Sequence, residues 1–481
     1  MKIENNNLIF TLSGIRGIAN KDLTFDTVKK ITIAYGLWYE GYEKKIIIGR
    51  DTRPSGKIIE KAVIEGLLTT GFEITNSGVC PTPIIIHAKN RLKIPAGIII
   101  TGSHNPPEWN GLKLLSSRTF LNTTDLNKIS NQSKEIDLRS YQIRNPKSYK
   151  SVKNIDPISN YLKDLSSFID FQKIKKKNNL RIVLDTGAGT SKPVTNQILT
   201  DLGCEVKQIN NEFLINNEFP REIEPIEENL KDLIMEVWQG KYDVGFAHDT
   251  DADRLAIIGE NGECYPEDVG LALITEYFLN NLKNNKGEIY FVTNIASSLM
   301  FEAIAEKHNV HIIRTPIGER FLTEKMDSLI QEKNSITEEI VVFGGEGSCG
   351  GVMFPQFNKA RDGILATVKI VELLVDSGEK ISKLVSKLPR YFSHREKIMI
   401  KRKNIKSIIE QVKKELIDEG EIVNHINMDL KFGKEKEWFI LIHPSNTEPI
   451  IRVISEARRK SLARIYCEAT TELVKLIISK L

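Results

Sequence analysis

The sequence has few of the features that mark membrane, secreted or nucleic-acid-binding proteins. No run of about 18 apolar residues occurs, so no membrane-spanning helix is expected, and the polar start MKIENNNLIF lacks the apolar stretch of a signal peptide. The five cysteines are scattered without a CxxC pair, which argues against a disulfide framework or a zinc ribbon and favours a reducing compartment. Lys and Arg number 67 against 63 Asp and Glu, and this near balance argues against a dedicated nucleic-acid partner. We therefore expect a cytoplasmic protein with neither a membrane nor a nucleic-acid partner.

What the chain does have is length and an alternation of strand and helix patterns. At 481 residues it exceeds one ordinary core and predicts roughly three or four domains. Buried strands are predicted at 45–49, 96–100, 180–184, 244–247 and 340–343. Each is followed by a turn rich in Gly, Asp, Ser or Pro and often by a helix, which is typical of α/β domains. Functional loops in such domains gather at the carboxyl ends of strands.

Residues 101–106 (Thr-Gly-Ser-His-Asn-Pro) follow one of these strands and hold Ser103 in a tight turn. Glycine before the serine and proline at the end favour a turn that exposes the hydroxyl. His104 and Lys113 supply protonatable groups nearby in the sequence. An ordinary turn with incidental polar residues would also fit this pattern. A serine-hydrolase site fits less well, because Asn105 stands where the nucleophile elbow needs its second glycine.

An acidic loop follows the strand at 244–247. Its three carboxylates alternate along the chain, at Asp249, Asp251 and Asp253. Carboxylate oxygens converging on one point favour Mg²⁺ or Ca²⁺. An EF-hand is disfavoured, because Arg254 stands where that loop needs glycine and a strand, not a helix, follows. A haloacid-dehalogenase-type phosphatase also has two alternating aspartates after a strand, but Asp253 stands where it usually has Thr or Val. A solvated acidic turn stays open beside a metal site.

Two further loops indicate ligand contacts. Residues 344–351 (Gly-Gly-Glu-Gly-Ser-Cys-Gly-Gly) permit close approach to a ligand, and Glu346 and Ser348 can hydrogen-bond vicinal hydroxyls. No Gly-Lys-Ser/Thr follows, which argues against a nucleotide loop. In the tail, small polar side chains and free backbone N–H groups form a candidate anion nest at Ser445, Asn446 and Thr447. Taken alone, each of these loops is equally well an ordinary turn.

These four motifs, in this order and together with residues 13–17 (Ser-Gly-Ile-Arg-Gly) and 49–56 (Gly-Arg-Asp-Thr-Arg-Pro-Ser-Gly), resemble the α-D-phosphohexomutase superfamily. The likeness extends over essentially the whole chain. It implies an α/β fold: three related α/β domains with mixed sheets and a C-terminal α+β domain, arranged around a central active-site cleft. The expected domains, which carry the phosphoserine, metal, sugar-binding and phosphate-binding loops in turn, are residues 1–152, 153–259, 260–384 and 385–481.

The resemblance also implies chemistry. A phosphorylated Ser103 would exchange its phosphoryl group with a hexose phosphate through a hexose 1,6-bisphosphate, which also serves as activator. One Mg²⁺ would be held by the phosphate of Ser103 and by the three aspartates. The further implied residues are Arg16 and Arg254 at the transferring group, Lys113 and His104 in proton handling and charge stabilisation, Glu346 and Ser348 at sugar hydroxyls, and Ser445, Asn446 and Thr447 at the non-reacting phosphate.

Three positions depart from the family pattern. His443 stands where the family usually has arginine, Thr250 where glycine is common, and Gly350 where several members carry histidine. Histidine is only partly charged near neutral pH, so either His443 or Arg452 would have to supply the charge at the phosphate loop.

The expected partner is a small sugar phosphate, bound by a monomer or homodimer. The loops favour glucosamine phosphate, with mannose or glucose phosphate as the second choice. Two further functions stay open, a catalytically weak sugar-phosphate-binding paralogue and a metal-dependent phosphatase.

Overall fold

The strands in the described part of the chain form four sheets that follow one another along the sequence. The computed structural model describes residues 8–11, 14–142, 150–282, 287–334, 340–347, 350–400, 405–445 and 449–480. Across these segments, no helix is both long enough and apolar enough to cross a membrane.

The first sheet is mixed and has seven strands. They are β1 (Ile9–Thr11), β2 (Gly14–Ile18), β3 (Lys45–Arg50), β4 (Glu73–Val79), β5 (Ala96–Ile100), β6 (Trp109–Leu115) and β7 (Val152–Asn154). Their order is β1-β2-β6-β5-β3-β4-β7, with β5, β3, β4 and β7 parallel and β6, β2 and β1 antiparallel to their neighbours. The accompanying helices are α1 (Phe25–Trp38), α2 (Gly56–Thr69), α3 (Thr82–Arg91), α4 (Thr123–Glu135) and a short 3-10 helix, Leu138–Ser140. The predicted boundary at 152/153 falls inside β7, and a boundary after Asn154 keeps this sheet whole.

The second sheet, also mixed, has five strands in the order β12-β11-β10-β8-β9: β8 (Arg181–Asp185), β9 (Glu205–Ile209), β10 (Val244–Ala247), β11 (Ala256–Gly259) and β12 (Cys264–Tyr265). Its helices are α5 (Pro157–Phe168), α6 (Phe171–Lys177), α7 (Ser191–Asp201), a 3-10 helix at Glu227–Asn229 and α8 (Lys231–Gln239). Strand β10 runs parallel to β8 and antiparallel to β11. The acidic loop therefore joins two adjacent antiparallel strands.

The third sheet has the order β14-β13-β15-β16-β17, from β13 (Glu288–Asn294), β14 (His311–Thr315), β15 (Ile340–Glu346), β16 (Gly351–Phe354) and β17 (Asn358–Asp362). Its helices are α9 (Glu267–Asn281), α10 (Met300–His308), α11 (Glu319–Asn334), α12 (Gly363–Ser377) and α13 (Ile381–Ser386). Strands β14, β13 and β15 are parallel, whereas β16 and β17 are antiparallel.

The fourth sheet is antiparallel throughout, with the order β18-β22-β21-β20-β19. Its strands are β18 (Phe392–Met399), β19 (Asn424–Ile426), β20 (Asp429–Lys434), β21 (Trp438–Pro444) and β22 (Ile450–Ala457), and its helices are α14 (Ile405–Asp418) and α15 (Lys460–Lys480). Three mixed sheets followed by an antiparallel one confirm the predicted α/β fold class.

One apolar cluster runs through the elements of the first three sheets and holds them together. It includes Ile85 on α3, Tyr161 on α5, Phe246 on β10 and Phe354 on β16. Helix α12 contributes much of this core and starts at a defined point, because the Asp362 carboxylate accepts a hydrogen bond of 2.9 Å from the Leu365 backbone N–H. The loops that follow the strands are thereby brought against one another from different sheets.

All five predicted strands are present, and three of them have ends that differ from the prediction. Those at 96–100 and 244–247 have the predicted bounds, and the others differ by one residue or extend further. The largest difference is β15, which continues through Glu346 and pairs with β16. Glu346 therefore lies on a strand and not in a flexible turn.

Candidate active site

The turn that carries Ser103 is held by a buried arginine, Arg53, in the loop between β3 and α2. Ser103 has a left-handed backbone, with φ of +49°, which is costly for a residue with a side chain. Arg53 stabilises this turn, because its guanidinium donates hydrogen bonds of 2.6–2.9 Å to the carbonyl oxygens of Ser103, Asn105, Pro106 and Trp109. The carboxylate of Asp51 balances the charge, at 3.2 Å from Nε of Arg53.

Ser103 is buried, contrary to the expectation of an exposed hydroxyl. The residue is only 2% exposed. The acidic loop of the second sheet covers it, and the Ser103 hydroxyl donates a hydrogen bond of 3.4 Å to Oδ2 of Asp249. The sequence pattern describes the turn alone, whereas the covering loop comes from 146 residues further along the chain.

The three aspartates of that loop form a cluster suited to a cation. Asp249, Asp251 and Asp253 each offer a carboxylate oxygen within 4.8 Å of the others. All three are buried. Oδ1 of Asp251 and Oδ1 of Asp253 have no hydrogen-bond partner among the residues that the structure describes. Buried, unpaired carboxylate oxygens are costly, and an all-oxygen donor set fits a hard divalent cation such as Mg²⁺.

Lys113 brings a positive charge to the same cluster. It lies on β6, and its Nζ is 2.7 Å from Oδ2 of Asp251 and 3.1 Å from Oδ2 of Asp253. Thr82, at the start of α3, also donates to Oδ2 of Asp251, at 2.6 Å. Strand β6 of the first sheet and helix α3 beside it therefore each supply a donor to the carboxylates of the acidic loop.

Burial and the neighbouring charges shift the pKa values of these groups in different directions. Burial, together with Asp251 and Asp253, holds the pKa of Asp249 well above its usual value. Burial alone would raise the pKa of Asp253, but the nearby charges of Arg361, Lys113 and Arg254 outweigh it and lower the pKa. For Lys113, burial opposes the charged form, but Asp251 and Asp253 outweigh it and raise the pKa. Lys113 is therefore an ammonium at neutral pH.

Arg16, His104 and Arg254 surround the Ser103 turn. Nη2 of Arg254 lies 2.8 Å from Nδ1 of His104, and Nη1 of Arg16 donates to the Asn105 side chain. Nδ1 of His104 is also 3.3 Å from the Ser103 hydroxyl. Burial and the charges of Arg254 and Arg16 hold the pKa of His104 well below its usual value, so its ring is neutral at neutral pH. Burial lowers the pKa of Arg16 to about 10, which leaves it charged.

Arg361 joins the acidic loop to the third sheet. Its Nη2 is 2.8 Å from Oδ2 of Asp253, and its Nη1 is 2.6 Å from Oε2 of Glu346. Its backbone N–H donates to Glu319 at 2.8 Å. The side-chain amide of Asn294 donates to Glu346 from the other side, at 2.8 Å. Glu346 is therefore fixed beside the acidic loop, while Ser348 lies outside the described residues.

The tail residues form a second cluster, on β21 and β22. His443 and Arg452 are directly opposite each other in this antiparallel pair. Nδ1 of His443 is 2.6 Å from Oδ1 of Asp429, and Nη1 of Arg452 is 3.4 Å from the Ser445 hydroxyl. Asn446 and Thr447 lie outside the described residues.

Sequence reasoning missed four residues that contact the acidic loop, Glu346 or each other, namely Thr82, Asn294, Glu319 and Arg361. Glu319 follows β14 after Pro-Ile-Gly, and Asn294 is the last residue of β13. Both follow the rule that functional loops gather at carboxyl ends of parallel strands, so that rule could have found them. Arg361 had a weaker signal, as a charged residue directly before the helix cap Asp362.

Models of known families match most of the chain. The phosphoglucomutase/phosphomannomutase alpha/beta/alpha domains I, II and III match residues 7–140, 159–262 and 266–392. The chain belongs to this family, within the α-D-phosphohexomutase superfamily, and is a phosphohexomutase: an isomerase that acts as an intramolecular phosphotransferase.

Individual relatives cover nearly the full length. A phosphoglucomutase/phosphomannomutase of Thermococcus kodakarensis is 34% identical, over 97% of this chain and 98% of the relative. A probable phosphoglucosamine mutase of Pyrococcus abyssi is 32% identical, over 98% of each.

Solved structures share the fold. A phosphoglucomutase/phosphomannomutase family protein from Burkholderia thailandensis has a TM-score of 0.79 at 22% identity, covering 98% of each chain. An N-acetylphosphoglucosamine mutase of Aspergillus fumigatus, in complex with GlcNAc-6P and magnesium, has a TM-score of 0.60 at 13% identity, covering 98% of this chain and 96% of that one.

Proposed function

We propose that the enzyme interconverts hexose 6-phosphate and hexose 1-phosphate through a phosphorylated Ser103 and a hexose 1,6-bisphosphate, with glucosamine phosphate as the preferred sugar. The observation that carries this proposal is the hydrogen bond from the Ser103 hydroxyl to Asp249, within a buried cluster that also holds Asp251, Asp253 and Lys113. The choice of sugar is supported by the loop motifs and by the name of the Pyrococcus relative. Mannose or glucose phosphate is the second candidate, supported by the name of the Thermococcus relative.

The acidic loop is the proposed metal site. Asp249, Asp251 and Asp253 would hold Mg²⁺, together with the phosphate on Ser103. The ion would supply positive charge that stabilises the phosphoryl group while it is being transferred. The unpartnered oxygens of Asp251 and Asp253 support this assignment.

The protein's own cations complete the charge balance. Phosphoryl transfer depends on in-line positioning and electrostatic stabilisation. Arg16 and Arg254 lie beside the Ser103 turn, where guanidiniums can donate to phosphoryl oxygens in pairs. Lys113 keeps an ammonium next to the carboxylates. A dianionic phosphoserine and an anionic substrate would otherwise repel each other.

Proton handling falls to the groups nearest Ser103. When the serine takes back a phosphoryl group, its hydroxyl must lose a proton. The departing sugar oxygen must gain one at the same time. The neutral His104 ring, whose Nδ1 is 3.3 Å from the Ser103 oxygen, would pass the serine proton to that sugar oxygen, and it would carry the sugar hydroxyl's proton back to Ser103 when the transfer runs in reverse.

The sugar and the distant phosphate would contact other loops. We propose that Glu346 and Ser348 bind sugar hydroxyls. The phosphate that is not reacting would be bound by Ser445, Asn446, Thr447 and one of His443 or Arg452. After the first transfer, the bisphosphate would turn so that its other phosphate faces Ser103.

The test combines mass analysis with a substrate panel. Peptide mass analysis of the purified protein should find phosphate on Ser103. Ser103→Ala should lower mutase activity by at least about 10³-fold, because the covalent route disappears. Ser77→Ala is the matched control, since the Ser77 hydroxyl is buried without a hydrogen-bond partner among the described residues.

The assay should supply glucosamine, glucose and mannose 6-phosphates with hexose 1,6-bisphosphate, and measure both isomer formation and free phosphate. Phosphate release in place of isomer formation would identify a phosphatase. Binding without either product would identify a sugar-phosphate-binding paralogue.

A further inference from the structure

Thr250 connects the acidic loop to the Ser103 turn. It lies between Asp249 and Asp251 and is 1% exposed. Its hydroxyl donates a hydrogen bond of 2.9 Å to the backbone carbonyl oxygen of Ser103.

Both ends of this hydrogen bond are fixed independently. On the second sheet's side, the backbone N–H and hydroxyl of Thr190 both donate to the Thr250 carbonyl oxygen, at 2.9 and 2.8 Å. On the first sheet's side, Nη2 of Arg53 donates to the same Ser103 carbonyl, at 2.8 Å. The Thr250 hydroxyl therefore links two rigid groups and sets their separation.

Asp51 is the competing acceptor for the Thr250 hydroxyl. Its Oδ2 is 3.3 Å from Oγ1 of Thr250, farther than the Ser103 oxygen. That carboxylate oxygen already accepts from the Thr101 hydroxyl, at 2.7 Å, and from Arg53, at 3.2 Å. A hydroxyl has one proton to donate, and the shorter contact to Ser103 is the better hydrogen bond.

We propose that Thr250 is a positioning residue for phosphoryl transfer: its hydroxyl holds the Ser103 turn in register with the acidic loop. This inference rests on the proposed function and adds a positioning residue to it. Thr250 acts through the Ser103 backbone and not on the sugar. Its loss should therefore slow transfer and leave substrate affinity nearly unchanged, because small misplacements of a reacting group reduce rate steeply.

Valine is the informative substitution because it keeps the shape of threonine and removes the hydroxyl. The Ser103 carbonyl keeps its bond to Arg53 in Thr250→Val, so no buried acceptor is left unpaired and the fold should be retained. Thr250→Ser keeps the hydroxyl and serves as the conservative rescue. Thr186→Val is the matched control, because the Thr186 hydroxyl is buried and has no hydrogen-bond partner within the described segments.

The experiment measures kcat, KM and melting temperature, and the single-turnover rate at which enzyme phosphorylated on Ser103 discharges to hexose 6-phosphate. The rate is normalised to the phosphoenzyme present. We expect Thr250→Val to lower kcat and the single-turnover rate about 5- to 20-fold, with KM within about twofold of the unsubstituted enzyme. Thr250→Ser should recover most of the rate, and Thr186→Val should match the unsubstituted enzyme.

The proposal is overturned if Thr250→Val transfers at the unsubstituted rate, if it lowers only the melting temperature, or if Thr250→Ser is as slow as Thr250→Val. Failure of the proposed function has a different signature, namely full mutase activity in Ser103→Ala.

Discussion

The ammonium of Lys113 lies 2.7 Å from a carboxylate oxygen of Asp251, although 138 residues separate the two in the chain. Lys113 belongs to β6 of the first sheet, and Asp251 follows β10 of the second. The cluster therefore forms only when these two parts of the protein pack together. Its electrostatics follow from that packing, since burial strengthens the attraction between an ammonium and two carboxylates.

Asp251→Asn should weaken Mg²⁺ binding by at least about tenfold and lower activity in parallel, because it removes an anionic oxygen ligand. Calorimetric titration of chelator-treated protein with MgCl₂ measures the first effect, and activity against free Mg²⁺ measures the second. Asp376→Asn is the control, since Asp376 pairs with the exposed Lys173 away from the loop. Activity that persists unchanged after thorough chelation would contradict the metal assignment.

Glu346→Gln should change the selectivity among sugar phosphates. The Glu346 carboxylate is fixed by Arg361 and Asn294, and a site built to hydrogen-bond hydroxyls leaves polar groups unpaired when the wrong epimer binds. We expect the ratios of kcat/KM among glucosamine, glucose and mannose phosphates to shift by about fivefold or more. Glu276→Gln, which alters an ion pair with Lys307 on the same sheet's helices, should leave these ratios unchanged. If Glu346→Gln leaves these ratios as they are in the unsubstituted enzyme, Glu346 does not select the sugar.

Arg452→Met should raise KM for hexose phosphates about 10- to 100-fold, the effect of losing a hydrogen bond from a charged group to the substrate phosphate. The guanidinium of Arg452 contacts the Ser445 hydroxyl and offers a fork of donors that suits a phosphate, whereas Nδ1 of His443 is paired with Asp429. KM measured from pH 6 to 9 should therefore follow parallel curves in the unsubstituted enzyme and in His443→Arg. Arg464→Met, on the exposed side of α15, is the control. If KM rises with pH only in the enzyme with His443, the histidine supplies the charge.

Asp268→Asn should stabilise the fold more at pH 8 than at pH 5. Burial, with a contribution from Glu456, raises the pKa of Asp268 from 3.8 to about 7. Between these two values the folded state binds more protons than the unfolded state, so stability falls as pH rises through this window. Asparagine still accepts the hydrogen bond from the Ser298 backbone N–H and carries no charge.

Above pH 7, Asp268→Asn should raise the free energy of unfolding by at most about 4 kcal/mol, which corresponds to about three pKa units at 1.36 kcal/mol each. Melting temperatures at both pH values, with Asp376→Asn as reference, measure it. A shift of equal size at pH 5 and pH 8 would show that the Asp268 carboxylate does not titrate in this window.

Much of the fold and part of the site followed from local patterns. The strand at 96–100 and the strand at 244–247 could be predicted because each is a short apolar run ended by turn residues, and such runs bury themselves in a sheet. The two loops after these strands could be singled out because a serine in a glycine-containing turn and three alternating carboxylates are seldom needed for folding alone. Glu346 was recognised by its glycine neighbours, yet its place on β15 depended on pairing with β16.

The sequence by itself determined which residue types stand at the ends of the strands, and therefore the class of chemistry available to this protein. Only the tertiary structure decided which of them meet. Three features of the site depend on contacts between segments that are distant in the chain. They are the burial of Ser103, the bridge that Arg361 makes between Asp253 and Glu346, and the hydrogen bond from Thr250 to Ser103. Their contacts depend on how sheets pack against one another, and that packing is set by apolar side chains shared among the first three sheets.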